Sequence, residues 1–322
     1  MKILLIRNDN IGDLVCSTPC FEALKKKYPQ AQIDIVVNSL NAPVVIGEEG
    51  RNPYLDKIYI YTKTKHIRGI YNKLKALFYK GWILFCLFKE RYDVVVILRI
   101  APSKYSSLFA KCARGKICYG AGSKEDSKVK GIPNFVETPI IHHHEVMVCL
   151  DILAPLGVEY GGEKTAYAYP NAYNNIDTPP YILFHISSRR LKDNPYPLES
   201  LQEIIQALPF VVVIGDSEDK LRCETLAKLE NCEYKATKTL DEVAALARGA
   251  LLTLAFEGGI AHIFGACNAK AITIFDNIDI ARWGTWGQIE WCLQSESKKA
   301  RDVKPQLIIE KVFALLQKDS IH

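Results

Sequence analysis

Residues 2–37 read KILLIRNDNIGDLVCSTPCFEALKKKYPQAQIDIVV. Lys2 to Arg7 has the short apolar composition of a strand. A polar turn follows, and Asp13 to Tyr28 carries a helical pattern that stops at Pro29. Gln32 to Val37 is a second strand. Strand, loop, helix and strand at this spacing predict two parallel strands joined by a crossover helix.

The pattern continues outward from this unit. Strands are predicted at 57–61, 92–98, 181–186, 210–214, 251–255 and 271–275, with short edge pieces at 117–119 and 135–137. Helices are predicted over 67–91, 103–114, 144–156, 198–208, 219–229, 240–248, 259–267 and 306–318. Continuous runs such as YDVVVIL at 92–98 suit strands covered on both faces. Residues 157–180 break the alternation with Gly157, Gly161, Gly162, Pro170, Pro179 and Pro180, which predicts a linker. The expected organisation is α/β. An N-terminal Rossmann-like domain spans 1–160, a linker 161–180 and a second such domain 181–304. A terminal helix over 305–322 packs back toward the first domain. Two such domains facing across a cleft would bind a small ligand there.

Composition narrows the function. With 322 residues, 48% hydrophobic and 24% charged, the chain is globular rather than disordered, collagen-like or a coiled-coil rod. The net charge of +5 hides an asymmetry: residues 1–160 hold 23 Lys/Arg against 15 Asp/Glu, and 57–130 hold 17 against 4. Such a field suits an anionic partner, or is a solvated basic face. Ten cysteines without a CxxC motif read as reduced, mostly buried thiols. The N-terminus does not have the apolar run of a signal peptide. Ala76 to Phe88, ALFYKGWILFCLF, is too short to span a bilayer. Flanked by Lys73, Lys75, Lys89 and Arg91, it reads either as a helix lying on a membrane or as an ordinary helix with its apolar face covered.

Four loops carry the candidate chemistry. Arg7 to Asp13 follows the first strand, where open α/β sheets bind ligands. It is neither GxGxxG nor a P-loop. Gly12 suits a sharp turn or close approach, and Asp13 reads either as a base or as a first-turn helix acid worth about 1 kcal/mol. His185-Ile186-Ser187-Ser188-Arg189-Arg190-Leu191-Lys192 combines hydroxyls and cations, as a phosphate site or a solvated basic loop would. Glu257-Gly258-Gly259-Ile260-Ala261-His262 turns from strand to helix on two glycines, where an anion can approach the backbone N–H groups. Gly215-Asp216-Ser217-Glu218 ends a strand with acids, suited to ribose hydroxyls or to capping. The run His142-His143-His144-Glu145 points its side chains apart and predicts no metal site.

Together the segments 2–37, RYDVVVIL (91–98), HISSRRLKDNPYP (185–197) and FEGGIAHIFGAC (256–267) resemble glycosyltransferase family 9, the lipopolysaccharide heptosyltransferases. The resemblance runs from residue 1 to about 276. It implies the GT-B fold and an inverting, cytoplasmic transferase that needs no cofactor and uses ADP-heptose as donor. Asp13 becomes the general base and Lys192 the second catalytic residue. The donor set is Ser187, Ser188, Arg189, Lys192, Glu218, Glu257, Gly258, Gly259 and His262. Gly12, Lys63, Lys65, Arg68 and Lys104 are the expected acceptor residues, meeting the acidic sugars and phosphates of a lipopolysaccharide core at the inner membrane. Glu257 departs from the family's Asp, and residues 276–287 match loosely, so a different nucleotide sugar, or a binding protein without turnover, is the alternative. Nucleic acid is not an expected partner.

Overall fold

A computed structural model describes the chain apart from residues 49, 64–68, 124, 125, 127, 128, 130, 168–179 and 320–322. It divides into two compact units, Met1–Ala168 and Tyr169–His322.

In the first unit, β1 (Lys2–Ile6), α1 (Ile11–Val15), α2 (Thr18–Lys27) and β2 (Gln32–Asn38) realise the opening unit. A small antiparallel pair, β3 (Ile46–Gly47) and β4 (Gly50–Arg51), precedes β5 (Lys57–Tyr61). Then come α3 (Ile70–Glu90), β6 (Val94–Ile97), α4 (Lys104–Ala113), β7 (Ile117–Gly120), β8 (Phe135–Glu137) and α5 (Glu145–Leu153). The main sheet runs β5-β2-β1-β6-β7-β8, and every pairing in it is parallel. The four residues of β6 are all buried, as a strand covered on both faces requires.

The second unit holds β9 (Ile182–His185), α6 (Leu198–Ala207), β10 (Val211–Ile214), α7 (Lys220–Leu226), β11 (Cys232–Tyr234), α8 (Leu240–Gly249) and β12 (Leu252–Phe256). It continues with α9 (Gly259–Ala266), β13 (Ala271–Phe275), α10 (Ile280–Trp283), β14 (Cys292–Gln294) and α11 (Pro305–Asp319). Its sheet, β11-β10-β9-β12-β13-β14, is also wholly parallel and repeats the strand order of the first. In each sheet the first strand is central, and the order reverses between it and the fourth. That is the doubly wound topology, with its ligand crevice beyond the strands' carboxyl ends at the switch point.

Several expectations are corrected. The helix expected over 13–28 is two helices. Pro19 sits in the first turn of α2, where its ring would clash with an uninterrupted helix, and the Thr18 hydroxyl donates to Val15 O at 2.8 Å across the break. Gly12 makes no sharp turn. It is buried within α1 in a helical hydrogen-bond pattern, with the Cys16 N–H donating to its carbonyl at 3.0 Å. The terminal helix α11 buries Ile308, Ile309, Val312 and Leu315 in the core of the second unit. As expected from the sequence, none of the ten cysteines is in a disulfide. α3 covers an inner face with Ile83 and Leu87 buried and leaves a second apolar face exposed.

Candidate functional site

β1 delivers Arg7 to the switch point of the first sheet, where its side chain is fully buried. A buried guanidinium requires partners. Its Nη2 lies 3.0 Å from Asp13 Oδ1 and 2.7 Å from Glu145 Oε1, its Nε lies 3.1 Å from Asp9 Oδ1, and Nη1 donates to the Leu98 carbonyl. Burial works against the charge of Arg7, but Asp9, Cys149, Asp13 and Glu145 together raise its pKa above the ordinary value. Burial also pushes the Asp9 carboxyl up, against the pull of Arg7 and Arg99.

The other oxygen of Asp13 accepts from the Asn10 amide at 2.9 Å and from the Asn10 backbone N–H at 3.2 Å. Asp13 is therefore a helix-start acid and also a carboxylate fixed by a buried cation. Its side chain remains 15% exposed. Of the expected acceptor residues, Lys63 reaches this loop, with Nζ 3.4 Å from the Asp9 carbonyl. Lys104 opens α4, beyond the carboxyl end of β6, with an exposed side chain. Lys65 and Arg68 lie outside the described residues.

In the second unit, three loops leave the carboxyl ends of β9, β10 and β12, and two serines tie them together. Ser187 Oγ accepts from the Asp216 N–H at 2.7 Å, and Ser188 Oγ donates to the Glu257 carbonyl at 3.1 Å. Gly215 makes the first tie possible, because a Cβ there would stand 2.9 Å from Ser187 Oγ. Lys192 and Glu218 form an ion pair at 2.6 Å, both well exposed. Arg189, three residues before Lys192, is also exposed. Gly258 has φ +147°, a conformation that L side chains rarely adopt, and α9 begins at Gly259. Glu257 is buried, and His262 is buried with its ring edge-on to Trp283 at 6.4 Å. Ser187, Ser188, Glu257 and Gly258 thus share one rim, while His262 lies a turn into α9.

The histidine run serves other ends. His142 Nδ1 lies 2.6 Å from Asp151 Oδ1, and His144 Nδ1 accepts from the Val146 N–H at the start of α5. Among the described residues no group of three or more His, Cys, Asp or Glu is placed to hold a metal ion. Within the loop from Arg7 to Asp13, sequence reading singled out Gly12 and Asp13 but not Arg7 or Asn10, and it did not join Glu145 to them. The apolar strand ending in a lone arginine was the available signal.

This arrangement offers a held carboxylate in one unit and a cation, hydroxyls and a glycine-bounded helix start in the other. Among solved structures, E. coli heptosyltransferase WaaC with ADP is similar at TM-score 0.78 and 18% identity, over 98% of this chain and 100% of that one. The glycosyl transferase family 9 protein of Veillonella parvula DSM 2008 is similar at TM-score 0.78 and 15% identity, over 98% and 97%. These likenesses show the GT-B fold. Among curated proteins, lipopolysaccharide heptosyltransferase 3 of Escherichia coli strain K12 is 26% identical over 306 residues, covering 85% of this chain and 82% of that protein. The model of glycosyltransferase family 9 (heptosyltransferase) matches residues 86–313, well over half of the sequence, and the chain belongs to that family.

Proposed function

We propose that this enzyme transfers a heptose from ADP-heptose to the inner core of lipopolysaccharide, with inversion at the anomeric carbon. The observation that carries the reading is Asp13, whose side chain is held in place by Arg7 and Asn10 at the switch point of a doubly wound sheet. The acceptor hydroxyl oxygen bonds to the anomeric carbon as the bond from that carbon to the diphosphate oxygen breaks. Asp13 takes the hydroxyl proton, and ADP departs with the bonding pair. Lys192 and the N–H groups at Gly258 and Gly259 meet the diphosphate charge, an arrangement worth a few kcal/mol in comparable anion sites (~3–4 per strong donor). Ser187, Ser188 and Arg189 line the same phosphate position. Glu218 takes the ribose hydroxyls, and the donor draws Lys192 away from it.

Lys63, beside the Asp9 carbonyl, and Lys104, at the start of α4, meet the charges of the acidic acceptor. Because that acceptor is anchored in lipid, the enzyme works peripherally, on the cytoplasmic face of the inner membrane. Glu257, buried and longer than the family's Asp, favours one second reading: the same reaction with a different nucleotide sugar.

The test offers ADP-heptose, UDP-sugars and GDP-sugars in turn with heptose-deficient lipopolysaccharide, and follows nucleotide diphosphate release. Release with ADP-heptose alone, reduced about 10²–10⁴-fold in Asp13→Asn with an unchanged circular-dichroism spectrum, is expected. Undiminished turnover in Asp13→Asn rejects the base. Release with another donor only replaces the substrate.

A further inference from the structure

A surface helix of a globular protein ordinarily turns its apolar stripe to the core. α3 turns a second one outward. Its inner face buries Ile83 and Leu87, one helical turn apart. On the other side Leu74, Leu77, Phe78, Trp82, Phe85 and Phe88 recur at helical spacing and are all exposed, Phe78 at 79% and Trp82 at 54%. Scattered surface apolar residues need no explanation, but a contiguous stripe of this size marks an interaction surface.

The charges around the stripe identify the partner. No Asp or Glu occurs from Ile70 to Lys89, whereas Lys73, Lys75, Lys80 and Lys89 do. Several cations sit on aromatic rings: Lys89 Nζ is 5.1 Å from the Phe85 ring centre, Arg114 Cζ is 5.5 Å from that of Phe88, and Lys80 Nζ is 5.1 Å from that of Tyr105 on α4. Aliphatic stems thus lie along the apolar surface with charged heads at its edge. A second copy of the chain would bring like charges together across the contact, which disfavours pairing. No helix among the described residues is long and apolar enough to cross a membrane. An apolar stripe rich in aromatic residues and bordered by lysines is the pattern of a helix lying in the plane of an anionic bilayer.

We infer that α3 is a membrane-docking helix: Leu74, Phe78, Trp82 and Phe85 enter the headgroup boundary of a bilayer containing anionic phospholipid, and the lysines contact its phosphates. The inference rests on the membrane location proposed above and names the surface responsible for it.

The test uses the full-length protein with vesicles of phosphatidylcholine, with and without phosphatidylglycerol. The wild type is expected to sediment with the anionic vesicles roughly tenfold or more better than with the neutral ones, and less well at high salt. Trp82 is the one tryptophan in residues 1–168, so binding shifts tryptophan emission to the blue and Trp82→Phe removes the shift. Leu74→Ser/Phe78→Ser/Phe85→Ser changes exposed side chains only. It should lose vesicle binding about tenfold or more, yet keep its kcat/KM on a deacylated, water-soluble acceptor. The inference is overturned if the wild type ignores anionic vesicles or if the triple variant binds them equally well. It is also overturned if sedimentation equilibrium shows a dimer that the triple variant dissolves while vesicle binding persists. Vesicle binding through α3 by a protein that transfers no sugar would keep the docking surface and remove the transferase reading.

Discussion

Asp13 divides its carboxylate between a buried guanidinium and an amide, so its orientation depends on Arg7 more than on its own place in α1. Arg7→Met would leave Asp9, Asp13 and Glu145 without their shared cation. Breaking such a buried set costs about 3–5 kcal/mol, and a lower urea midpoint is the expected reading. A pH effect belongs to His185, whose pKa burial lowers from 6.5 to about 4, against the attraction of Asp216 and Asp219. Between those values the unfolded chain binds a proton that the folded chain refuses. The contribution is therefore complete above pH 6.5 and is lost as pH falls toward 4, by about 3 kcal/mol in all. Urea midpoints measured down this range should fall less steeply in His185→Leu than in the wild type. At this scale the placement of Asp13, Ser187 and Gly258 in loops after strand ends was legible, because each loop follows an apolar run. The Arg7–Glu145 pair was not, since its members are 138 residues apart and only the folded sheet brings them together.

At the scale of elements, the corner from β12 to α9 depends on backbone freedom. A Cβ at Gly258 would meet nothing within 4 Å, so Gly258→Ala would be strained by φ +147° alone. The expected cost is roughly 1–3 kcal/mol. It should appear as a lower melting temperature and a raised donor KM, because the N–H groups at that corner would turn. The long apolar runs foretold most strands and helices. β11 and β14 escaped notice: each has three residues, lies at a sheet edge and is not apolar throughout, so periodicity has too little to act on. The division of the first helix was written in Ser17-Thr18-Pro19, yet proline at a helix start and proline inside a helix look alike until the hydrogen bonds are traced.

Over the whole molecule, positive charge is concentrated in the first half of the sequence. If that field draws the acceptor, Lys63→Glu/Lys104→Glu should raise acceptor KM several-fold and flatten its dependence on salt, with donor KM unchanged. Steady-state kinetics at two ionic strengths checks this, and an unaltered KM would remove both lysines from acceptor binding. The repeated strand order has a consequence for biosynthesis. In each sheet the strand synthesised first ends in the middle, so the sheet must be completed outward on both sides. β1 leaves the ribosome long before β6, which covers its second edge, begins at Val94. At roughly 5–20 residues per second, that interval is on the order of ten seconds. β9 waits for β12 in the same way. During each interval a largely apolar central strand has an open edge, which makes it the natural client segment for a chaperone acting on the nascent chain.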